Sequence, residues 1–310
     1  MSFTTKIKDE ISGINGTKSE IIAELSGFVR NNGYIKNDAL FLTTENSITA
    51  SRIKNFFKDI YEIEIKEEIK DNLNFSKKDL YLISITNNLN FILKDLGYIN
   101  EKDEYMEIPP DYIVGSNEEI RAYLRGAFLC IGSINDPKTS RYHMELLISK
   151  PQEAVFVQKL LNIFDLNAKI LTRDKGYMIY IKEAEKISDY LKILGASKAV
   201  MYFENVRIYR EQKNQANRLN NCEQANIDKI VASANEQLEQ INIIKAKMGE
   251  SLLDEKTKEA LEYRLKYPEA SLKELSEIIS LETSKSITKS GLNHRFRKIR
   301  ELAEQIKNNE

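Results

Sequence analysis

Apolar positions along the first two hundred residues follow one order of periods, and they follow it twice. Glu20–Ile35 reads EIIAELSGFVRNNGYI and Glu119–Ile134 reads EIRAYLRGAFLCIGSI. Set 119 − 20 = 99 residues apart, the two agree at Glu, Ile, Ala, Leu, both glycines and the last Ile. Both carry apolar residues at helical steps. An alternating stretch follows each, over 39–43 and 142–149, and predicts strand. A helical pattern comes next, over 50–60 and 151–164, and then a second strand-like run over 80–85 and 177–181. Each copy closes on a helix that stops at glycine, FILKDLGYI through Gly97 and DYLKILGAS through Gly195, where a left-handed cap favours that residue. A repeat of about one hundred residues is too long for a solenoid. It fits a duplicated α+β half-domain folded about a pseudo-twofold axis. Ala23 with Gly27, and Ala122 with Gly126, put small residues four apart on the first helix of each copy, where two backbones can approach.

Beyond residue 205 the pattern changes. The segment from Arg207 to Asp228 is poor in large apolar residues and rich in amides: Gln212, Asn214, Gln215, Asn217, Asn220, Asn221, Gln224 and Asn226. It reads either as a hydrophilic linker or as a contact surface in which Lys213 and Arg218 meet phosphates. Helical spacing resumes over 227–248 and again over 254–266, stopped by Tyr267 and Pro268. Ser271 with Glu274 three residues on is a capping-box signature, and it opens a helix over 272–279. A turn over 280–287 leads to a last helix over 289–306, with Thr288 as its cap. The last two helices form a helix-turn-helix pattern. In the final one, Leu292, Phe296, Ile299 and Leu302 make the core stripe. Lys289, Ser290, Asn293, His294 and Arg297 are the candidates for base edges, because asparagine pairs with adenine and arginine with guanine. Arg295, Lys298 and Arg300 are candidates for phosphates. The competing reading is a solvated basic helix face.

Composition alters this picture at one point. The chain has 310 residues, enough for two domains or three small ones. With 46 Lys and Arg against 47 Asp and Glu, its net charge of −1 argues against a nucleic-acid partner. The total averages unlike parts. Residues 1–204 hold 27 basic and 30 acidic side chains, 27 − 30 = −3, and residues 205–310 hold 19 and 17, 19 − 17 = +2. From Thr283 to Arg300 there are six basic residues and no acid, and the local field is what a groove-facing helix presents. No apolar run approaches the roughly 18 residues of a membrane span, and Met1–Glu10 is not a secretory signal. Cys130 and Cys222, distant from each other, form no disulfide framework and, with His143 and His294, no zinc spacing; both cysteines read as small buried or half-buried residues. A cytoplasmic protein without metal or cofactor is expected.

Leu124–Ile134, LRGAFLCIGSI, resembles the LAGLIDADG helix of homing endonucleases. The resemblance implies two such helices at the interface of the half-domains, each ending in a metal-binding acid before its last glycine. Here those positions hold Asn32 and Ile131. Neither residue replaces a carboxylate in two-metal hydrolysis, and Asp136, four residues past Gly132, does not rebuild a site. Arg207–Ile230, RIYREQKNQANRLNNCEQANIDKI, and Ile287–Glu304, ITKSGLNHRFRKIRELAE, resemble the WhiA family of bacterial transcription regulators. That resemblance covers nearly the whole chain. It implies an α+β fold: a duplicated, degenerate LAGLIDADG domain over 1–204 with repeats at about 18–100 and 117–197, a polar linker over 205–226, and an all-α helix-turn-helix domain over 227–310. Its KNQANRL-type stretch favours contact over plain linker. The expected function is sequence-specific binding of double-stranded DNA in transcription regulation, tied to cell division or sporulation and without nuclease activity. Other transcription factors or RNA polymerase are the further partners, and a nucleoid-associated monomer is the expected state. A saddle on the first domain would use Lys169, Arg173 and Lys175 with Lys66, Lys70, Lys77 and Lys78, opposed by Glu67, Glu68 and Asp71. The alternatives are a protein-interaction scaffold in cell division or chromosome organisation, and an active endonuclease.

Overall fold

A computed structural model describes residues 1–70, 79–139, 141–247 and 253–308. Lys77, Lys78, Asp71 and Met248 lie outside the described residues, as does the side chain of Lys70. The chain divides into two compact units, Met1–Arg210 and Glu211–Glu310.

Unit 1 holds two copies of one motif behind a short helix, α1 (Phe3–Ile11). The first copy runs α2 (Lys18–Asn32), β1 (Tyr34–Lys36), β2 (Ala39–Thr44), α3 (Ser47–Tyr61), β3 (Lys66–Lys70), β4 (Leu80–Ile85) and α4 (Leu89–Asp95). A 3-10 turn at Asp111–Ile113 leads to the second: α5 (Asn117–Ile131), β5 (Gly132–Ile134), β6 (Met144–Ile148), α6 (Pro151–Ile163), β7 (Lys169–Arg173), β8 (Gly176–Ile181) and α7 (Ala184–Leu194). The sheets have matching antiparallel orders, β1-β2-β4-β3 and β5-β6-β8-β7. The alternation of apolar residues predicts β2, β4, β6 and β8, with one strand after the second helix of each copy; the structure has two there. The added strands are edges. KEEIK and KILTR carry charge at the positions that alternation would need, as exposed edges usually do. Gly97 and Gly195 take left-handed φ values of 62° and 82° behind α4 and α7.

The two copies meet at α2 and α5. A Cβ at Gly27 would run into the Tyr123 carbonyl oxygen, and one at Gly126 into that of Glu24, so the small residues permit this crossing. Around it, charge is buried. The Glu24 carboxylate accepts from Arg52 Nε (2.6 Å) and Nη2 (2.9 Å) within its own copy, and from Arg125 Nε (2.7 Å) across the interface. Glu153 of α6 accepts from Arg30 Nε of α2 at 3.0 Å and from the Tyr123 hydroxyl. All five ion-pair partners are almost wholly buried. Burial alone would lower the Arg30 guanidinium; Tyr123 and Glu153 reverse this and raise it. Burial and Glu153 hold the Tyr123 hydroxyl far above its ordinary value.

The first residues form a helix that lies outside the repeated pattern. Phe3, Ile7 and Ile11 recur every four residues and are buried, the amphipathic stripe of a core-packed helix. Thr4 Oγ1 donates to the Ile134 carbonyl at 2.9 Å and accepts from the Ile134 N–H at 3.0 Å, joining α1 to β5. The Glu10 carboxylate accepts from the N–H groups of Lys198 and Ala199 at 2.6 and 3.0 Å. It thereby caps the orphan donors at the start of the next helix.

That helix, α8, runs from Ser197 to Lys247, 51 residues. The linker expected over 205–226 is therefore helical, and no new helix starts at Ile227. The amides hid this by removing the apolar stripe. Residues 211–233 are exposed on every side, which suits a helix polar all round. Cys222 is exposed here rather than buried. In unit 2 the end of α8 packs with α9 (Glu255–Lys266), α10 (Leu272–Thr283) and α11 (Lys289–Asn308). Ile241, Ile244, Leu261, Leu275, Ile279, Leu292, Phe296 and Ile299 form the core. No helix among the described residues is long and apolar enough to cross a membrane.

Candidate nucleic-acid interface

Local chemistry sets the α10–turn–α11 pair. Ser271 and Glu274 close both halves of the capping box: the Ser271 N–H donates to Glu274 Oε2 at 2.7 Å and the Glu274 N–H to Ser271 Oγ at 3.2 Å. These bonds hold the Glu274 carboxyl below its ordinary value. Ser284 ends α10 in a left-handed conformation, φ 54°. Ser280 Oγ then accepts the Ile287 N–H at 3.0 Å across the turn. Thr288 opens α11 as expected, its Oγ1 accepting the Gly291 N–H at 3.1 Å. Leu292, Phe296 and Ile299 face the core, which fixes what the opposite face presents.

That face sorts the candidates into two sets. Lys289, Ser290, Asn293, His294 and Arg297 are exposed and make no side-chain hydrogen bond or ion pair among the described residues. The three phosphate candidates are engaged within unit 2. Arg295 is half-buried and donates Nη1 to Glu259 at 2.7 Å and to the Lys256 carbonyl at 3.1 Å. Lys298 lies 3.5 Å from Asp254 and Arg300 3.9 Å from Glu236, all four side chains more than half exposed. Hydrogen bonds from the Thr257 N–H and hydroxyl, and then Lys298, lower the Asp254 carboxyl. Lys213 and Arg218 sit on the exposed run of α8 without a partner among the described residues.

Sequence reasoning missed Arg264. It is the largest fully buried side chain among the described residues. Nε donates to Gln237 at 3.0 Å, and Nη1 to the carbonyls of Ala270 (2.5 Å), Tyr267 and Pro268. It ties α8, the end of α9 and the turn into α10 together beneath α11, its guanidinium 5.5 Å from the Phe296 ring centre. A lone arginine before a proline turn has no periodic signal.

At the other candidate locus, the ends of α2 and α5 open onto a cavity of about 720 Å³, lined in part by Ser2, Thr4, Asn32, Thr43, Cys130 and Asp136. Asn32 has a structural part there: its Oδ1 accepts the Thr43 N–H at 2.7 Å and joins the helix end to β2. Ile131 is half-buried and packs on the core. Asp136 accepts from the Tyr202 hydroxyl at 3.0 Å and the Lys138 N–H at 2.9 Å. Burial pushes the Cys130 thiol up to about 12, so it stays protonated. No three His, Cys, Asp or Glu side chains among the described residues are grouped to hold a metal ion.

On the outward face of the second sheet, pairing aligns Leu147, Met178 and Leu171 in one row. Leu147 is 43% and Leu171 44% exposed. The expected saddle cations Lys169, Arg173 and Lys175 are exposed beside them, and Lys66 is exposed on β3. Met178 between the two leucines is only 7% exposed, so the outward face mixes cations with two separate exposed leucines.

Comparison with known proteins covers both units. Three family models match: the WhiA N-terminal LAGLIDADG-like domain at residues 18–99, the WhiA LAGLIDADG-like domain at 120–213, and the WhiA C-terminal HTH domain at 216–303. The chain is 40% identical over 314 aligned residues to a Staphylococcus epidermidis protein named "Probable cell division protein WhiA", covering 100% of this chain and 99% of that one. It is 39% identical over 311 residues to the Enterococcus faecalis protein of the same name, covering 99% of each. Among solved structures it is similar to full-length DUF199/WhiA from Thermatoga maritima, with a TM-score of 0.56 and 23% identity, covering 98% of this chain and 99% of that one.

Proposed function

The chain belongs to the WhiA family, and from that premise we propose that it is a sequence-specific DNA-binding transcription regulator connected with cell division, that α11 is its reading helix, and that it has no nuclease activity. One observation carries the reading. Five polar side chains at the N-terminal part of α11 face solvent with no partner among the described residues, while the cations behind them are held by Glu259, Asp254 and Glu236. A recognition helix enters the major groove with its N-terminal residues, and unpaired donors are what base edges require. Asn293 and Arg297 are the principal base contacts, with Lys289, Ser290 and His294 around them and Thr288 fixing the first turn. Lys298 and Arg300 exchange long, exposed ion pairs of little net value for phosphates. Lys213 and Arg218 add phosphate contacts from α8. Arg295 holds α11 to α9.

At the helix ends, Asn32 and Ile131 offer no carboxylate pair for two-metal cleavage. A second reading, a protein-docking role for unit 1, is favoured by the exposed Leu147 and Leu171 on the sheet face, because apolar side chains there add nothing to phosphate binding.

The test begins with duplexes chosen by genome-wide footprinting of the full chain. Asn293→Ala and Arg297→Ala should each lose about 1–3 kcal/mol on the selected duplex, with loss of selectivity, and binding should weaken steeply with salt. The duplex should stay intact with magnesium. Unchanged affinity and unchanged transcription in cells carrying both substitutions would leave the scaffold reading in place.

A further inference from the structure

We propose that unit 2 contains a phosphate-binding cleft formed by Lys229, Arg264, Lys273 and Lys289, and that it seats a backbone phosphate of the bound duplex; the assignment rests on the DNA reading above. The cleft is a cavity of about 350 Å³ between α8, the turn into α10 and the first residue of α11, lined among others by those four cations, Ser233 and Ser271. No carboxylate lines it.

Arg264 is the buried member of the four. Its side chain is 1% exposed, yet none of its partners is an acid: they are the Gln237 amide oxygen and three carbonyls. Nε and Nη1 are used, and Nη2 makes no hydrogen bond among the described residues. A buried cation that lacks a counter-ion carries an uncompensated desolvation cost. Carbonyl dipoles reduce that cost but add no negative charge. Three lysines around the same cavity, with no acid in its lining, leave an anion as the missing component. Lys229 and Lys289 have no partner among the described residues, and Lys273 reaches only Glu277, at 4.0 Å.

The N-terminus of α10 is already occupied by its own capping box. A phosphate offers several acceptor oxygens to a guanidinium and ammonium groups. The cleft opens at Lys289, the end of α11 that would enter the groove, so a phosphate of the flanking strand is the natural occupant. Lys289 thereby moves from the base-reading set to the backbone-positioning set. Lys229 and Lys273 join it, although neither stands on the recognition helix.

The experiment uses the full chain carrying Lys229→Gln and Lys273→Gln together, both exposed and remote from the core. Affinity is measured across salt concentrations for the footprint-selected duplex and for an unrelated one. Both affinities should fall by the same factor, roughly tenfold at 0.1 M salt, and the slope of log K against log salt should flatten by about one, as loss of a single phosphate contact requires. Selectivity should be unchanged, in contrast to Asn293→Ala and Arg297→Ala. If wild type binds selectively and the double variant keeps its salt slope, the cleft assignment is overturned and the DNA reading stands. If wild type binds neither duplex, the DNA reading fails and the backbone assignment fails with it. Titration with inorganic phosphate separates the sources. Millimolar binding that the double variant loses, with no change in salt slope, would overturn the backbone assignment in favour of a free phosphorylated ligand.

Discussion

Two helix pairs in this chain put charge to opposite uses. Where α2 crosses α5, Glu24, Arg30 and Arg125 point inward and meet Glu153 of α6, and all are almost fully buried. Where α10 leads into α11, Lys289, Arg297, Lys298 and Arg300 point outward. The difference follows from what each pair must exclude. The central pair is sealed by backbone contact at Gly27 and Gly126, so side chains there are cut off from water and each charge needs a fixed partner. The second pair is sealed on one face only, so its polar face is free for a ligand. A count of charged residues cannot separate the two. Burial can.

The central networks also show how a duplicated domain stays unsymmetric. At the offset of 99, Glu24 matches Tyr123, Ser26 matches Arg125 and Arg30 matches Leu129. Each buried pair that crosses the interface therefore needs the other copy. A second first-copy helix in place of α5 would present Ser26 where Glu24 expects Arg125. Buried charge of this kind adds little net stability but can fix which partner is accepted.

The sharpest way to break the contrast is at the crossing. Gly126→Val places branched carbons against the Glu24 carbonyl, where only a shift of the whole helix makes room. A loss on the order of 5 kcal/mol or more is expected. Chemical denaturation should show unit 1 unfolding first or already unfolded. If stability stays within about 1 kcal/mol of wild type, the backbone seal is wrong. Next is Glu24→Ala, which strands Arg52 and Arg125 in the interior and should cost about 3–5 kcal/mol. Recovery by the triple change Glu24→Leu, Arg52→Met, Arg125→Leu would show that the cost lies in the unpaired charge rather than in lost packing. Arg295→Ala sharpens the comparison within α11 itself. Arg295 is tied to Glu259 and stands two residues from the free Arg297, so its removal should lower stability by about 1–2 kcal/mol while base selectivity persists. Loss of selectivity without loss of stability would move Arg295 to the reading face.

These pairs were not equally legible. The central crossing was visible because close helix approach demands small residues, and Ala23, Gly27, Ala122 and Gly126 repeat at one spacing. The reading helix was visible because Leu292, Phe296 and Ile299 mark its core face and leave the rest by subtraction. The buried ions were not, since Glu24 and Arg125 sit in helices as any surface residues would, and only the fold closes over them. Helix α1 could have been read from Phe3, Ile7 and Ile11, a four-residue step overlooked among lysines and acids. In α8 the reason is different. Asparagine is a poor helix former, and Asn214, Asn217, Asn220 and Asn221 sit in a segment with no apolar face, so its helicity is carried by apolar stretches on both sides.

The smallest effect concerns how the outward charges respond to solvent. Asp254 accepts the Thr257 N–H at 2.9 Å to cap α9 and lies 3.5 Å from Lys298 on α11. Its carboxyl is lowered first by the Thr257 bonds and then by Lys298. A carboxylate with a depressed folded value adds stability that is present above its ordinary pKa of about 4 and is lost as pH falls through the folded value. Hydrogen exchange on the full chain should therefore show the first turn of α9 opening as pH drops below about 4. Asp254→Asn keeps a good N-cap without a titrating charge. That variant should hold the turn closed across the same range while giving up the attraction to Lys298 at neutral pH. Equal pH dependence in wild type and variant would mean that the cap is not what titrates.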